Sequence, residues 1–195
     1  MESNRKWLLL LGKQTQKESL VEKLLRDLDK YLDWLETPNE NFGGRPVCPF
    51  LASDRKNGKL KIEIYDSKVK TIWEHILVYD REDYNTALFL HIDDSIREVT
   101  RAKWQTFLRQ GMRGIGLGHL KPICFSPWED YTAATVKTRE MAPCFLTSIA
   151  GRKHLSKSAK SLEKTSYYEK FTDKERKKKT NEYPSMKSSF ICVIR

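Results

Sequence analysis

A thiol set close to two prolines is the first place where this chain can do chemistry. In Gly43-Gly44-Arg45-Pro46-Val47-Cys48-Pro49-Phe50, Cys48 follows a Gly-Gly turn and precedes a segment read as a strand. Proline fixes its own φ and pushes the residue before it out of the α region. Cys48 is therefore expected on stiff, extended backbone, as a ligand or nucleophile or, more commonly for a cysteine, as a small buried hydrophobe. His119 is the second candidate. It lies five residues before Cys124, after the glycine-alternating run Gly114-Ile115-Gly116-Leu117-Gly118. A neutral imidazole binds metal or haem, and a thiolate is another ligand. Read as a strand, this run uses Gly116 and Gly118 to leave one face bare, so a flat group can approach. The same histidine also suits a hydrogen-bonded strand end. Glu129 and Asp130 follow in Ser126-Pro127-Trp128-Glu129-Asp130-Tyr131. There they can hold a guanidinium or amine or sit in a solvated turn. His91, beside Asp93 and Asp94, reads as a capping or core contact. His75 and His154 show no ligand spacing.

Other chemistries are missing from the pattern. The chain has no G-x-S-x-G elbow, no H-E-x-x-H helix and no phosphate-cradling G-x-x-x-x-G-K-[ST] loop. The glycine run does not have dinucleotide-fingerprint spacing. Cys48, Cys124, Cys144 and Cys192 are far apart with no C-x-x-C pair, which argues against a zinc ribbon or thioredoxin motif. Trp7-Leu8-Leu9-Leu10-Leu11 is too short to span a bilayer and has no cleavage-site pattern. The expectation is a soluble, cytoplasmic protein with reduced cysteines and no membrane partner.

The elements that must position these residues are of two kinds. At 195 residues, one compact domain with a small appendage is expected. The formal charge of +10 is unevenly placed: residues 151–195 carry 13 Lys/Arg against 5 Asp/Glu, and residues 1–150 are nearly neutral. This divides the chain into an α+β core domain (1–150) and a basic helical C-terminal extension (151–195). A basic stretch such as 152–179 suits phosphate or an acidic protein, or a solvated lysine-rich surface. Tyr167, Tyr168 and Phe171 within it are compatible with base stacking.

Leucines at spacings of three and four predict an amphipathic helix over 15–37, with Leu24, Leu28 and Leu32 facing a sheet. Residues 37–44 read as a loop, Asn57-Gly58 as a turn and 60–65 as a half-buried strand. Residues 71–79 suit either a helix or a strand. Residues 86–92 read as a buried strand and 95–110 as a helix stopped by Gly111. Pro122, Pro127 and Pro143 suggest a long loop. A strand over 144–149, charged helix over 156–180 and a terminal strand over 188–194 complete the reading. The fold class is α+β: a small antiparallel or mixed sheet packed against helices, with a ferredoxin-like arrangement as the best fit.

Val47-Cys48-Pro49-Phe50, leading into a charged turn and an alternating strand, resembles the opening of a group of uncharacterised bacterial Cys-Pro-Phe proteins. The segment is also distantly similar to the haem-dependent guanidino N-hydroxylases. In the first group a G-x-x-H-P element follows a helix. Here Gly118-His119-Leu120-Lys121-Pro122 takes that place, with Lys121 where the histidine is expected. The resemblance spans about residues 42–150. It implies a haem- or metal-binding oxidoreductase acting on a small nitrogenous metabolite, with His119 as axial ligand, Cys48, Gly116 and Gly118 in the cofactor pocket, and Glu129 or Asp130 positioning the substrate. The alternative reading is a non-enzymatic binding protein that uses its basic C-terminal helix on nucleic acid or an acidic partner.

Overall fold

The leucine spacing near the N-terminus does form a helix. A computed structural model of the chain describes residues 18–40, 44–46, 48–128 and 142–164. The first element, α1 (Glu18–Glu36), buries Val21, Leu24, Leu28, Leu32 and Leu35. Leu20, at one edge of the apolar stripe, is 41% exposed. Two short strands follow where a loop is expected: β1 (Pro38–Asn39) pairs antiparallel with β2 (Arg45–Pro46). A ladder this short, with a proline in each strand, has no periodicity to betray it.

The strand expected after Cys48 is instead helix α2 (Pro49–Lys56), and Cys48 is its N-cap. The reason lies in Pro49. A proline in the first helical turn gives up an N–H that would have no intrahelical partner, and its φ already suits a helix. Asn57 and Gly58 make the expected turn, with Gly58 at φ +66°, into β3 (Leu60–Tyr65). The ambiguous segment is helix α3 (Ile72–Asp80). The Glu74 carboxylate accepts the Thr71 backbone N–H at 2.7 Å, the return half of a capping box.

Strand β4 (Thr86–His91) is buried throughout. Asp93 accepts the Ser95 N–H at 2.9 Å and starts a 3-10 turn, Asp94–Glu98. The main helix, α4 (Arg101–Gly114), begins only after Thr100 and runs past Gly111. Gly111 is a packing residue rather than a stop: a Cβ there would lie 2.2 Å from the Trp73 ring. The predicted glycine-alternating strand is not a strand. Gly114 ends α4, Gly116 adopts φ +80° in the turn, and β5 (Leu120–Phe125) starts only at Leu120. Pro122 therefore lies within a strand. β5 is an edge strand, where a missing N–H is tolerated. Strand β6 (Leu146–Gly151) leads directly into α5 (Arg152–Glu163).

The four longer strands form one mixed sheet in the order β3-β4-β6-β5. β3 and β4 are parallel; β6 runs antiparallel to both its neighbours. The α+β class holds. The unit β3-α3-β4 joins adjacent parallel strands, so it is not the split βαβ of a ferredoxin-like unit. Strand alternation separates two cores. Leu60, Ile64, Leu88, Leu90, Ile123 and Phe125 meet α1, α2 and Leu155 of α5 on one face. Ala87, Phe89, Leu120, Cys124 and Ile149 meet α3 and α4 on the other. Leu155, Ala159 and Leu162 bury the inner side of α5, so this helix is a layer of the fold. No helix among the described residues is long and apolar enough to cross a membrane.

Candidate functional site

The residues singled out by sequence fall in different settings. Cys48 is wholly buried; its N–H donates to the Leu35 carbonyl at 3.1 Å and its carbonyl accepts from Ala52. These bonds tie α1 to the start of α2. Cys124 and Cys144 are buried thiols as well, and burial pushes the Cys144 thiol up to about 12. His119 is not on a strand. It sits in the turn before β5, with its side chain 57% exposed and Nε2 2.6 Å from Asp80 Oδ1. Gly116 and Gly118 flank it, and a Cβ at either would meet nothing within 4 Å. Thus His119 and the glycines share a surface turn while Cys48 lies in the core. Glu129, Asp130, Tyr167, Tyr168, Phe171, Cys192 and the predicted strand over 188–194 lie outside the described residues. Among the described residues, no group of three or more His, Cys, Asp or Glu could hold a metal ion.

The other histidines are engaged inside the fold. His91 Nε2 lies 2.8 Å from Thr147 Oγ1, which also accepts the Trp104 indole N–H at 3.0 Å. Tyr65, Trp104 and Phe145 stand edge-on around the His91 ring, and burial lowers its pKa to about 3. It is a neutral core residue, in keeping with a core contact. His75 Nδ1 lies 2.5 Å from Glu63, whose other oxygen meets Lys61 at 2.6 Å. Burial alone would raise the Glu63 pKa; the bonds and charges of His75 and Lys61 outweigh it and hold the carboxyl below its ordinary value. Asp54 is buried and accepts from Asn85, Thr86 and His154 at 2.9, 2.8 and 3.0 Å. That carboxylate fastens α2, β4 and α5 together.

Charge gathers differently on the far side. Arg152, Lys153, Ser156, Lys157 and Lys160 of α5 line an open cleft of about 430 Å³. The Arg152 backbone N–H donates to the His119 carbonyl and its Nε to the Gly118 carbonyl, each at 2.8 Å. This fixes the start of α5 against the turn before β5. Lys121, one residue into β5, is only 5% exposed. Burial lowers its amine to about 8, and Arg109 of α4 and Arg152 push the same way. Helix α4 carries Arg101, Lys103, Arg109 and Arg113 and no acidic residue.

The basic character of α5 is legible in its sequence. The buried setting of Lys121 is not marked there. The available signal is one lysine in an otherwise apolar strand, Leu120-Lys121-Pro122-Ile123-Cys124-Phe125, but its cationic neighbours come from distant segments. Comparison with models of known families, with curated proteins and with solved structures finds no match.

Proposed function

We propose that this protein binds nucleic acid through phosphate contacts along the outer face of α5 and the adjoining β5 edge. The observation that carries this reading is the concentration of cations on α5, β5 and α4, with an open cleft along α5. Lys153, Lys157 and Lys160 are exposed on consecutive turns. A step of four residues advances a helix by about 6 Å, so these amines form a row suited to charges strung along a chain. Contacts of this type position a nucleic acid without reading its bases.

The test is the salt dependence of binding to a labelled single-stranded oligonucleotide. Each phosphate contact contributes roughly 0.7–0.9 to the slope of log affinity against log salt. A slope of magnitude about 2 or more is expected, and no binding at low salt would refute the reading. Equal affinity for polyglutamate of matched length would point instead to an acidic protein partner.

A second reading retains the haem- or metal-binding oxidoreductase, and the His119–Asp80 pair favours it. A metal-binding imidazole commonly has its other ring nitrogen held by a carboxylate, and Asp80 supplies that bond at 2.6 Å. His119 would provide the imidazole ligand at this turn, and bound haem or metal would supply redox chemistry there. A Soret band or stoichiometric metal in the purified protein, lost in His119→Ala, is the expected result. Full occupancy in His119→Ala would overturn the assignment.

A further inference from the structure

The two edges of the main sheet are built differently. β5 carries Pro122, which has no N–H to offer a further strand. β3 has six residues, Leu60-Lys61-Ile62-Glu63-Ile64-Tyr65, with no proline, no glycine and no break in its register with β4. In a parallel pair, alternate residues turn both backbone groups toward the neighbouring strand. The Lys59 carbonyl accepts the Asn85 N–H at 2.9 Å and the Tyr65 carbonyl accepts the Ile92 N–H at 3.1 Å, so the odd-numbered residues face β4. Leu60, Ile62 and Ile64 turn their N–H and C=O outward. Among the described residues no hydrogen bond reaches these outward groups. Ile62 and Glu63, at mid-strand, are the two partly exposed residues of β3. An edge of this kind is a template for another strand.

We propose that this edge pairs with β3 of a second copy of the chain, antiparallel and with the two-fold axis at Ile62, joining two four-stranded sheets into one. With Ile62 opposite its symmetry mate, Leu60 falls opposite the partner's Ile64. Every residue that turns both backbone groups outward then meets one that does the same, as the hydrogen-bonded pairs of an antiparallel ladder require. Between them Lys61 stands opposite the partner's Glu63, and Glu63 opposite the partner's Lys61. These are the non-hydrogen-bonded positions, where side chains approach most closely and opposite charges attract across strands. Lys61 and Glu63 already meet within one chain at 2.6 Å, so the pairing joins two such pairs into a group of four alternating charges. Moving the axis by one residue sets Lys61 against Lys61 or Glu63 against Glu63, so charge selects the register. Val78 of α3 flanks the same edge. It is 41% exposed and lies on the side of the helix that reaches β3, between His75, which meets Glu63, and Glu82, which meets Lys61.

The experiment is sedimentation equilibrium of the full chain without oligonucleotide, so its outcome is separate from that of the nucleic-acid reading. Twice the chain mass of 22.9 kDa is expected at micromolar concentration. Ile62→Pro removes the central outward N–H and should give a monomer with unchanged far-ultraviolet circular dichroism. Lys61→Glu and Glu63→Lys proteins each set like charges opposite one another in self-pairing. They should associate with each other at least about tenfold more tightly than either does with itself. Ile62→Cys keeps the test open if Ile62→Pro does not fold. At the axis the two Cα atoms stand about 5.5 Å apart, within the span of a disulfide. Oxidised Ile62→Cys protein should therefore run as a linked dimer, and Leu77→Cys, exposed on the opposite side of α3, should not, each in a Cys192→Ser background. A monomeric intact chain would overturn the proposal. So would a dimer that survives Ile62→Pro and is not linked through Ile62→Cys, because its contact would lie on another surface.

Discussion

The charges around α1 and those around α5 are arranged by opposite rules. Around α2 and β3, three cations have acids at hand. Arg55 of α2 lies 2.7 Å from Asp33, 3.1 Å from Glu36 and 3.7 Å from Asp29, all on α1. Lys61 is held by Glu63 and Glu82, and Lys59 by Asp83. By contrast, α4 has four cations and no acid, and α5 has Arg152, Lys153, Lys157 and Lys160 with one glutamate. Paired charge fixes the orientation of neighbouring elements. The exposed lysines of α5 form a row along one helix face, and this difference directs the functional reading to α5 rather than α1.

The comparison can be broken by mutation. The largest stability effect belongs to apolar contacts on the paired side, not to its ions. Leu28 is 1% exposed in the core beneath α1, and Leu28→Ala should cost about 2–5 kcal/mol through lost transfer energy and a residual cavity. Denaturant melts showing less than about 1 kcal/mol, well below that range, would mean that α1 is not a core element.

The gathered side should respond to pH. Lys121 ordinarily titrates near 10.5, and in the fold near 8. Between these values the unfolded chain binds the proton more readily than the folded one. The stability present above 10.5 is therefore lost as pH falls to 8 and stays lost at pH 7. Lys121→Met should remove this contribution, which is roughly 3 kcal/mol for a shift of this size. Urea melts at pH 7 and pH 10 check it. An unchanged pH dependence in Lys121→Met would show that the burial of the amine costs the fold nothing.

The smallest effect is expected where charge is best paired. The acids around Arg55 are each about one third exposed or more, so Arg55→Met should change stability by no more than about 1 kcal/mol. A loss several times larger would show that the α1–α2 ion pairs carry the contact between these helices.

How much of this was legible depends on whether a pattern was local. The α1 leucines repeat at helical spacing, and Leu60 to Tyr65 alternates, so both elements could be read directly. The 114–118 glycines also alternate, but one lies at positive φ and none carries a side chain to pack, and the run is a helix end and turn. Pro49 was compatible with either an extended segment or a helix start, and only the three-dimensional setting of Cys48 between α1 and α2 decides it. The basic face of α5 was local and visible. The burial of Lys121 close to the start of α5 was not, because β5–β6 pairing brings separate stretches of chain together.

The central claim, that placement rather than net charge makes the binding surface, is tested most directly by two variants of equal charge change. Lys153→Glu, Lys157→Glu and Lys160→Glu are combined on α5; Lys23→Glu, Arg26→Glu and Lys30→Glu are combined on α1, where all three cations are exposed. Salt titrations of binding to one single-stranded oligonucleotide are then compared with the unmodified chain. The α5 variant should lose at least tenfold in affinity and about 2–3 in salt slope, as expected for three phosphate contacts, while the α1 variant keeps both nearly unchanged. Equal losses in the two variants, or none in the α5 variant, would contradict the account.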